Sequence, residues 1–354
     1  MPLEPVAISP LSPVDAGAYD RWHGGLRDGM IYGERRFASF VARVATGRVE
    51  HLIARRSGRI VGALAYAWRE AEGLGIVANS LPWYGSHGGC WLSDPADQAV
   101  RRDLLAALGE RLRPLDPLFS SVILSPGEFM HLGDYRDCLA PDAEDDRIGQ
   151  ISNLPEDGPD LEDRLFGEME QKTRNLVRKS LKQGFRERAD GREEDWRFLF
   201  DSHVANMEAI GGKAKSWAHF VALHEAFPDA RVSVALDRDR PVAALLLLSA
   251  CRTVEYITPT ALLEERSRQP LSFLILHGMR WAARTGFRRW NWGGTWRSQS
   301  SLHHFKAGWG ATDAPYAYLA KASPAGRQAL SERREELLAA FPYWYLYPFS
   351  APPR

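Results

Sequence analysis

A lysine near the carboxyl end of the chain has surroundings that would let its ammonium group act on a reacting oxygen. Residues 292–295 read Trp-Gly-Gly-Thr, and residues 305–310 read Phe-Lys-Ala-Gly-Trp-Gly. The glycine pair allows the backbone to approach another backbone or a ligand, which makes Gly294 and Thr295 candidate substrate-binding residues. Lys306 lies between a large apolar residue and a glycine-punctuated turn, so its charge can be held near a crevice, where it would stabilise a developing oxyanion. An ordinary surface lysine at a helix end is the alternative.

Basic side chains cluster on one predicted helix in the middle of the chain. Between residues 171 and 188, seven Lys or Arg residues stand against the single acid Glu187. Arg174, Arg178 and Lys182 are four residues apart and therefore share one face of the helix. The planar guanidinium group matches phosphate oxygens, so this face suits a diphosphate or a nucleic-acid backbone. A solvated charged face without a ligand is the alternative.

The composition is that of a globular protein without a global electrostatic bias. The chain has 354 residues, 45% of them apolar and 25% charged, with a mean hydropathy of −0.33. Lys and Arg together number 45, as do Asp and Glu, so the net charge gives no steering toward nucleic acid or anionic lipid. The longest apolar run, residues 242–248, is far shorter than the roughly 18–20 residues that span a bilayer. The N-terminus lacks the basic start and apolar core of a signal peptide, and we predict a cytoplasmic protein without an integral membrane segment.

The residues that commonly bind metals or cofactors show none of the usual patterns. Cys90, Cys138 and Cys251 have no metal-ligand spacing and cannot all pair, so we expect three reduced thiols. His303 and His304 adjoin the Phe-Lys sequence, but adjacent residues of a helix point in different directions, and we expect structural or solvent-exposed roles. No metal-spaced cluster, Gly-x-Ser-x-Gly elbow or Walker-type loop occurs. The sequence therefore predicts neither a metal nor a cofactor.

Two segments of the chain resemble each other at a constant offset of 181 residues. Residues 53–64 and 234–245 coincide at five positions, and each consists of an apolar run, a polar turn and a second apolar run. This pattern predicts a β-hairpin in both places. Each hairpin leads into an apolar strand and then a helical pattern, at 95–112 and at 269–285. Two copies of one α/β unit explain the similarity most simply, and chance similarity of two hairpins is the alternative.

Frequent hairpins separated by helical patterns predict a mixed α/β (α+β) fold. Each half of the chain is expected to form a mixed, mostly antiparallel sheet flanked by helices. The proline-rich residues 155–159 predict a boundary, which gives domains of 1–154 and 155–354. Three further expectations concern single segments: an irregular stretch over 125–148, one long helix over 160–183 and one terminal helix over 324–340.

Residues 174–184 resemble the Arg-x-x-Ile-Arg-Lys-Ala-x-Lys-x-Gly helix of Fem-type proteins. These are the aminoacyltransferases that build peptidoglycan interpeptide bridges, together with their acyltransferase relatives. The C-terminal part is similar as well, with Trp281 on a helix, Gly286 after it, a strand ending in Gly-Gly, and the sequence Phe-Lys-x-x-x-Gly. The first half resembles the family mainly through its hairpin and the turn at 81–89. The order and spacing of these features together make the resemblance specific.

The resemblance implies a fold, a chemistry and a set of site residues. It implies two tandem domains of the GNAT acyltransferase fold, in which Lys306 and the preceding Phe305 are catalytic and the lysine stabilises an oxyanion. It implies that Arg174 and Arg178 contact the diphosphate of a nucleotide-linked or lipid-linked cell-wall precursor. Tyr256 is the aromatic residue that it places on the wall of the cleft.

The turn at residues 81–89 supplies further candidates in the first half. It combines glycines with aromatic residues, and we predict that Trp83, Tyr84 and His87 bind substrate along an acceptor groove. Of these, His87 is adjacent to the Gly-Gly pair of the turn.

The sequence leaves the acyl donor open between two classes. GNAT enzymes that use acyl-CoA usually carry a Gln/Arg-x-x-Gly-x-Gly/Ala loop, whose backbone N–H groups bind the pyrophosphate. The equivalent residues 265–271 have no glycine, and Pro270 removes one donor. This favours aminoacyl-tRNA as co-substrate for transfer to a peptidoglycan precursor or a related small amine. The alternative is an acyl-CoA-dependent N-acyltransferase acting on a sugar, antibiotic or polysaccharide intermediate. A third, non-enzymatic class is a nucleic-acid-binding protein that uses the basic helix.

Overall fold

The chain folds into two compact units. The computed structural model describes residues 4–81 and 87–347. The first unit takes its residues from 1–147 and 315–354, and the second comprises 148–314. The C-terminal segment thus belongs with the first unit, which differs from the predicted division after residue 154.

The helices and strands are numbered in chain order over the described residues. The α-helices are α1 (Ala16–Gly24), α2 (Arg35–Val44), α3 (Gln98–Leu112), α4 (Leu132–Leu139), α5 (Leu161–Glu168), α6 (Gln171–Leu181), α7 (Glu193–Glu208), α8 (Trp217–Ala226), α9 (Pro270–Arg284), α10 (Ser300–Ala307), α11 (Pro324–Glu332) and α12 (Arg334–Ala340). The strands are β1 (Ala7–Pro10), β2 (Arg48–Arg56), β3 (Arg59–Ala71), β4 (Gly75–Asn79), β5 (Cys90–Leu92), β6 (Phe119–Ile123), β7 (Ala143–Asn153), β8 (Arg186–Arg188), β9 (Arg231–Asp237), β10 (Arg240–Ala250), β11 (Thr253–Ala261), β12 (Arg289–Thr295) and β13 (Ala311–Ala322).

The first unit is built on a mixed sheet in the order β1-β2-β3-β4-β6-β13, with β5 paired to β3. The strands β4 and β6 run parallel, while the other pairs are antiparallel. Helix α3 connects β4 and β5 to β6 and buries Leu104 and Leu108 against Leu64, Val122 and Leu319 of the sheet. Burial of these side chains holds the helix on the sheet.

The second unit repeats this arrangement in the order β7-β12-β11-β10-β9-β8. Here β11 and β12 are the parallel pair, and helix α9 connects them. The fully buried Trp290 of β12 packs in the core with Leu247 of β10. Gly278 lets α9 pack closely on Trp290, because a Cβ at that position would lie 2.9 Å from the Trp290 ring. Each unit is thus a mixed, mostly antiparallel sheet flanked by helices, as predicted.

The predicted repeat extends to the register of the two hairpins. The closing pair is Arg56 with Arg59 in the first unit and Asp237 with Arg240 in the second, at the same offset of 181. Both loops have two residues and positive φ at the first of them, as tight hairpins require. Each hairpin also has one bulged residue in its second strand, at Val61 and at Val242, again 181 residues apart.

The unit boundary differs from the prediction because one strand of each sheet lies on the other side of the predicted boundary in sequence. Residues 148–153 of β7 pair with β12 and therefore belong to the second unit. Residues 318–322 of β13 pair with β6 of the first unit. The sequence pattern of a strand does not identify its partner, so a boundary drawn from proline-rich composition misses this connection.

Three segments differ from their predicted secondary structure. The stretch 125–148 is not irregular, since it contains α4 and the start of β7. The predicted helix 160–183 is two helices, because Met169 and Glu170 are extended and the Glu170 N–H donates to Gly308 O at 2.9 Å. The predicted terminal helix is likewise two, α11 and α12. Within the described ranges, no helix is both long enough and apolar enough to cross a membrane.

Candidate active site

The second unit has a break in its sheet where the parallel strands β11 and β12 part. Their pairing runs from Thr253 and Arg289 to Glu255 and Asn291, and both strands continue beyond it. In sheets with parallel strands, ligands bind at the carboxyl ends of the strands. Beyond Asn291 the strand β12 continues through the Gly-Gly pair to Thr295. The Trp-Gly-Gly-Thr sequence at 292–295 therefore lies at this edge of the sheet.

Lys306 is held at the carboxyl end of β12. Its side chain comes from the last turn of α10 and is 3% exposed. The Nζ donates to Gly293 O at 3.0 Å, to Gly294 O at 3.1 Å and to Thr295 Oγ1 at 2.7 Å. These bonds use all three donors of the ammonium. Burial lowers the pKa of Lys306 to about 8, because desolvation penalises the charged form. Lys306 is therefore not the ordinary surface lysine that the sequence left as the alternative.

A β-bulge in β12 turns the two glycine carbonyls toward the lysine. Asn291 pairs with Ile151 and Gly294 with Gly149, so β12 has one residue more than β7 over this interval. Gly293 has φ +71°, which favours glycine. Its N–H donates to Asn291 Oδ1 at 2.9 Å, and this bond stabilises the bulge.

The neighbouring polar side chains fix the orientation of Asn291. Its Nδ2 donates to Glu255 Oε2 at 2.7 Å across the parallel pair, and both residues are buried. Neither residue was predicted as a site residue. The signal was the alternation of Trp290, Asn291 and Trp292, which gives the asparagine the opposite face of the strand from the two tryptophans.

Aromatic rings form a wall beside the lysine. Tyr256 lies 4.9 Å from Trp292 between ring centroids, and Trp292 lies 5.9 Å from Phe305 in an edge-to-face contact. Phe305 is 39% exposed, so part of its ring is accessible to solvent. Burial raises the pKa of the Tyr256 hydroxyl above its usual value, which keeps it neutral. The structure thus places the rings of Tyr256 and Phe305 on either side of Trp292, and Phe305 directly precedes Lys306 in α10.

Ser152 connects this wall to the turn that follows α10. Its Oγ accepts from Trp292 Nε1 at 2.8 Å and donates to Trp309 O at 3.1 Å. All three residues are buried. Ser152 was not predicted, since a serine on a strand carries no distinguishing sequence signal.

The basic helix α6 packs against the same turn. A Cβ added to Gly308 would lie 2.5 Å from Thr173 Oγ1, and a Cβ at Gly310 would lie 2.8 Å from Glu168 O. The two glycines therefore let the α5–α6 corner approach the end of α10 closely. The two sequence motifs that carried the family resemblance are in contact.

The predicted phosphate-binding arginines have different surroundings. Arg174 Nη1 donates to Met169 O at 2.7 Å and to Phe166 O at 3.3 Å, which satisfies carbonyls at the end of α5. Arg178 is exposed, and its guanidinium lies 5.6 Å from the centroid of the Phe166 ring. Arg178 thus presents its charge to solvent, whereas part of the Arg174 fork is already bound to the backbone.

The turn at residues 81–89 supplied three candidates in the first half, of which the structure describes one. Trp83 and Tyr84 lie outside the described residues. His87 is fully buried in the first unit, with its Nδ1 3.2 Å from Leu124 O and its ring against Tyr316. Burial lowers the pKa of His87 to about 4, so the ring is neutral. The prediction that His87 lines an open groove is wrong, because the imidazole is enclosed by the core of its own unit.

The start of α9 is occupied by the chain's own charged side chains. The helix follows a 3₁₀-helix, Leu263–Arg268, and Gln269, which has φ +65°. Glu265 is buried there and pairs with Arg240 and with Arg268, the latter at 2.9 Å. Pro270 is the first helical residue and has no N–H. This terminus therefore lacks the glycine-rich loop of free amides that binds a pyrophosphate.

No cluster of metal-binding side chains accompanies the site. Nowhere in residues 4–81 or 87–347 do three or more His, Cys, Asp or Glu side chains gather in a group that could hold a metal ion. Lys306 supplies a buried cation at the end of β12.

A family match covers the part of the chain that carries these features. Residues 168–307 match the sequence profile of the family described as the Acetyltransferase (GNAT) domain. The second unit has the GNAT fold. The match begins at the α5–α6 corner and ends one residue after Lys306, so it includes the basic helix, the parallel strand pair and the lysine. Acyl transfer is the chemistry that this match supports.

Solved structures extend the likeness to both units. The crystal structure of FemX is similar with a TM-score of 0.71 and 12% identity, over 88% of this chain and 96% of that one. A tandem GNAT protein from the clavulanic acid biosynthesis pathway is similar with a TM-score of 0.53 and 11% identity, over 90% of this chain and 98% of that one. The predicted Fem-like, tandem GNAT fold is confirmed. A sequence comparison with curated proteins finds no significant match.

Proposed function

We propose that this protein transfers an aminoacyl group from aminoacyl-tRNA to the amine of a peptidoglycan precursor or a related small amine. The observation that carries the proposal is the buried Lys306 ammonium at the carboxyl end of β12. A fixed cation in a water-poor site stabilises negative charge that develops on a carbonyl oxygen. The similarity to FemX supports the choice of reaction.

The reaction is an attack of the acceptor amine on the ester carbonyl carbon of the donor. A tetrahedral oxyanion forms, the bond to the ribose oxygen breaks, and the proton lost by the amine goes to that leaving oxygen. Because the ester is already activated, positioning and oxyanion stabilisation can supply much of the acceleration. No metal or redox cofactor takes part in this scheme.

The hydrogen bonds of Lys306 indicate how its charge would reach the oxyanion. Its three N–H donors are directed at Gly293, Gly294 and Thr295. Thr295 accepts through an oxygen lone pair and retains its own hydroxyl proton. A hydroxyl that accepts from an ammonium is a stronger donor, because the two bonds polarise one another. We propose that Thr295 donates to the oxyanion with Lys306 behind it.

The start of α9 supports aminoacyl-tRNA over acyl-CoA as donor. The paired side chains of Glu265, Arg240 and Arg268 stand where a glycine-rich loop would offer free amides. The exposed Arg178, on the helix that packs against the Lys306 turn, is available for a phosphate of the acceptor or of the tRNA backbone.

The acyl-CoA-dependent alternative is favoured by a different observation. The matched family is described as an acetyltransferase domain, and the acceptor would then be a sugar, antibiotic or polysaccharide intermediate. Transfer from aminoacyl-tRNA should be sensitive to ribonuclease, whereas transfer from acyl-CoA should not.

The deciding experiment measures transfer of radiolabel from a mixed pool of aminoacyl-tRNAs to a UDP-linked muropeptide. Parallel reactions contain ribonuclease or replace the tRNA by a mixture of acyl-CoA compounds. Transfer that ribonuclease abolishes, and that Lys306→Met reduces, is the expected result. Transfer from acyl-CoA alone would overturn the tRNA-dependent assignment in favour of the alternative.

A further inference from the structure

A groove in the first unit contains none of the residues of the candidate active site. It has a volume of about 580 Å³ and lies between α3, the end of α4, β6, β13 and the start of α11. Its lining residues all belong to the first unit, whereas Lys306 belongs to the second. Pockets of roughly 300–1,000 Å³ are the usual size for small-molecule sites, so the groove is large enough to hold a ligand.

The floor of the groove is hydrocarbon. Leu108 and Leu112 of α3, Val122 of β6, and Leu319 and Ala320 of β13 line it. Binding of a hydrocarbon chain over this surface is favourable, because it removes apolar area from water.

The rim of the groove is cationic. Arg113, Lys321 and Arg327 line it, against the single acid Asp116. Arg327 is already paired with Asp142 at 3.3 Å. Arg113 and Lys321 are exposed, and neither forms an ion pair with any residue that the structure describes. Two cations therefore stand over an apolar floor and are available to an anionic head group.

We propose that this groove binds an alkyl phosphate monoester, with its hydrocarbon chain on the floor and its phosphate between Arg113 and Lys321. A phosphate monoester carries up to two charges and three free oxygens near neutral pH, which suits two separate cations better than a single carboxylate does. The site is independent of the proposed acyl transfer, since it shares no residue with it.

Gly109 allows the groove to be filled without disturbing the fold. It lines the groove from α3, and a Cβ added there would meet nothing within 4 Å. Gly109→Trp is expected to abolish binding of decyl phosphate, measured by isothermal titration calorimetry on the full chain. Gly109→Ala is the matched control and should bind decyl phosphate as the unaltered protein does, with a slightly higher Tm because alanine favours the helix.

The charge requirement is tested with the head group and with the rim. Lys321→Ala and Arg113→Ala should each weaken decyl phosphate binding about tenfold, as loss of one charge-assisted contact implies. Decanoate should bind more weakly, and decyltrimethylammonium should not bind. Equal binding of decanoate, or undiminished binding in Gly109→Trp, would overturn the proposal, as would failure of decyl phosphate to bind the unaltered protein.

Cys138 provides a local reporter. It lines the groove and is half-buried, while Cys251 lies in the second unit. Saturating decyl phosphate should slow alkylation of Cys138 by N-ethylmaleimide and leave the rate at Cys251 unchanged. Equal protection of both cysteines would indicate binding elsewhere and would contradict the assignment to this groove.

Discussion

Thr295 Oγ1 accepts the shortest of the three hydrogen bonds made by Lys306 Nζ, at 2.7 Å against 3.0 Å and 3.1 Å for the carbonyls of Gly293 and Gly294. The ammonium is thereby saturated by the end of one strand. The lysine can therefore act on a substrate oxygen in two ways: through one of these hydrogen-bond acceptors, or directly after the substrate oxygen has replaced one of them. Mutation of Thr295 and mutation of Lys306 distinguish the two ways.

Lys306→Met should lower kcat by roughly 10²–10³, the usual effect of removing one oxyanion-stabilising donor. Methionine keeps most of the volume of the side chain but supplies no charge. The measurement is the transfer rate at saturating substrate, with the folded state checked by circular dichroism. Lys213→Met, on an exposed lysine of the same unit, is the control and should retain full activity. Unchanged kcat in Lys306→Met would leave the lysine as a structural residue.

Thr295→Val should lower kcat and move the alkaline limit of activity to lower pH. In the unaltered protein the pKa of Lys306 is about 8, so the ammonium is present below that pH and is lost as the pH rises through it. Valine removes an acceptor that favours the charged form, which lowers the lysine pKa further. A pH profile of kcat measures the shift. Thr295→Ser keeps the hydroxyl and should keep the profile, and a profile identical in the valine variant would exclude the proposed relay.

The elements around this site differ in how far the sequence could predict them. The hairpins were predictable because their two-residue turns and alternating apolar runs are local signals, and Arg59 and Arg240 lie at equivalent register positions. Burial of Lys306 was predictable from its glycine-rich and aromatic neighbours. The alternation of Trp290, Asn291 and Trp292 put Asn291 on the opposite face, but its bond to Glu255 was not predictable, and neither was the role of Ser152, because these partners are distant in sequence.

Features set by non-local contacts were not predictable from the sequence. Met169 and Glu170 have no local reason to leave the helical conformation, and the break is accompanied by the bond from the Glu170 N–H to Gly308 O. The pairing of β13 with β6 also depends on residues about 200 positions apart. Helical periodicity correctly put Arg174 and Arg178 on one helix, but it could not indicate that the first binds the backbone of α5.

Arg178→Ala should raise the KM for a phosphate-bearing substrate about tenfold or more, with only a small change in Tm from the lost contact with the Phe166 ring. A charge-assisted hydrogen bond contributes about 1.5–3 kcal/mol, and the exposed Arg178 side chain bonds to no carbonyl among the residues that the structure describes. The KM should also depend less steeply on salt in the variant, since one phosphate contact is lost.

Arg174→Ala should instead lower Tm, because its guanidinium satisfies the carbonyls of Phe166 and Met169 at the end of α5. Thermal unfolding followed by circular dichroism separates this variant from Arg178→Ala. If Arg178→Ala destabilises the protein and Arg174→Ala does not, the assignment of the two roles is reversed.

Gly310→Ala should destabilise the second unit more than Gly184→Ala, although the two glycines have nearly the same backbone conformation. Their φ angles are +74° and +75°, so alanine pays a similar left-handed strain of about 1–2 kcal/mol at either position. At Gly184 a Cβ would meet nothing within 4 Å, whereas at Gly310 it would lie 2.8 Å from Glu168 O. Forcing this contact apart should cost a further 1–3 kcal/mol or so, as overpacking usually does. Urea denaturation measures both free energies of unfolding.

Since the displaced segment carries Glu170, whose N–H bonds to the turn after Lys306, Gly310→Ala should also lower kcat. Equal losses of stability would mean that the α5–α6 corner yields freely and does not hold the lysine in place.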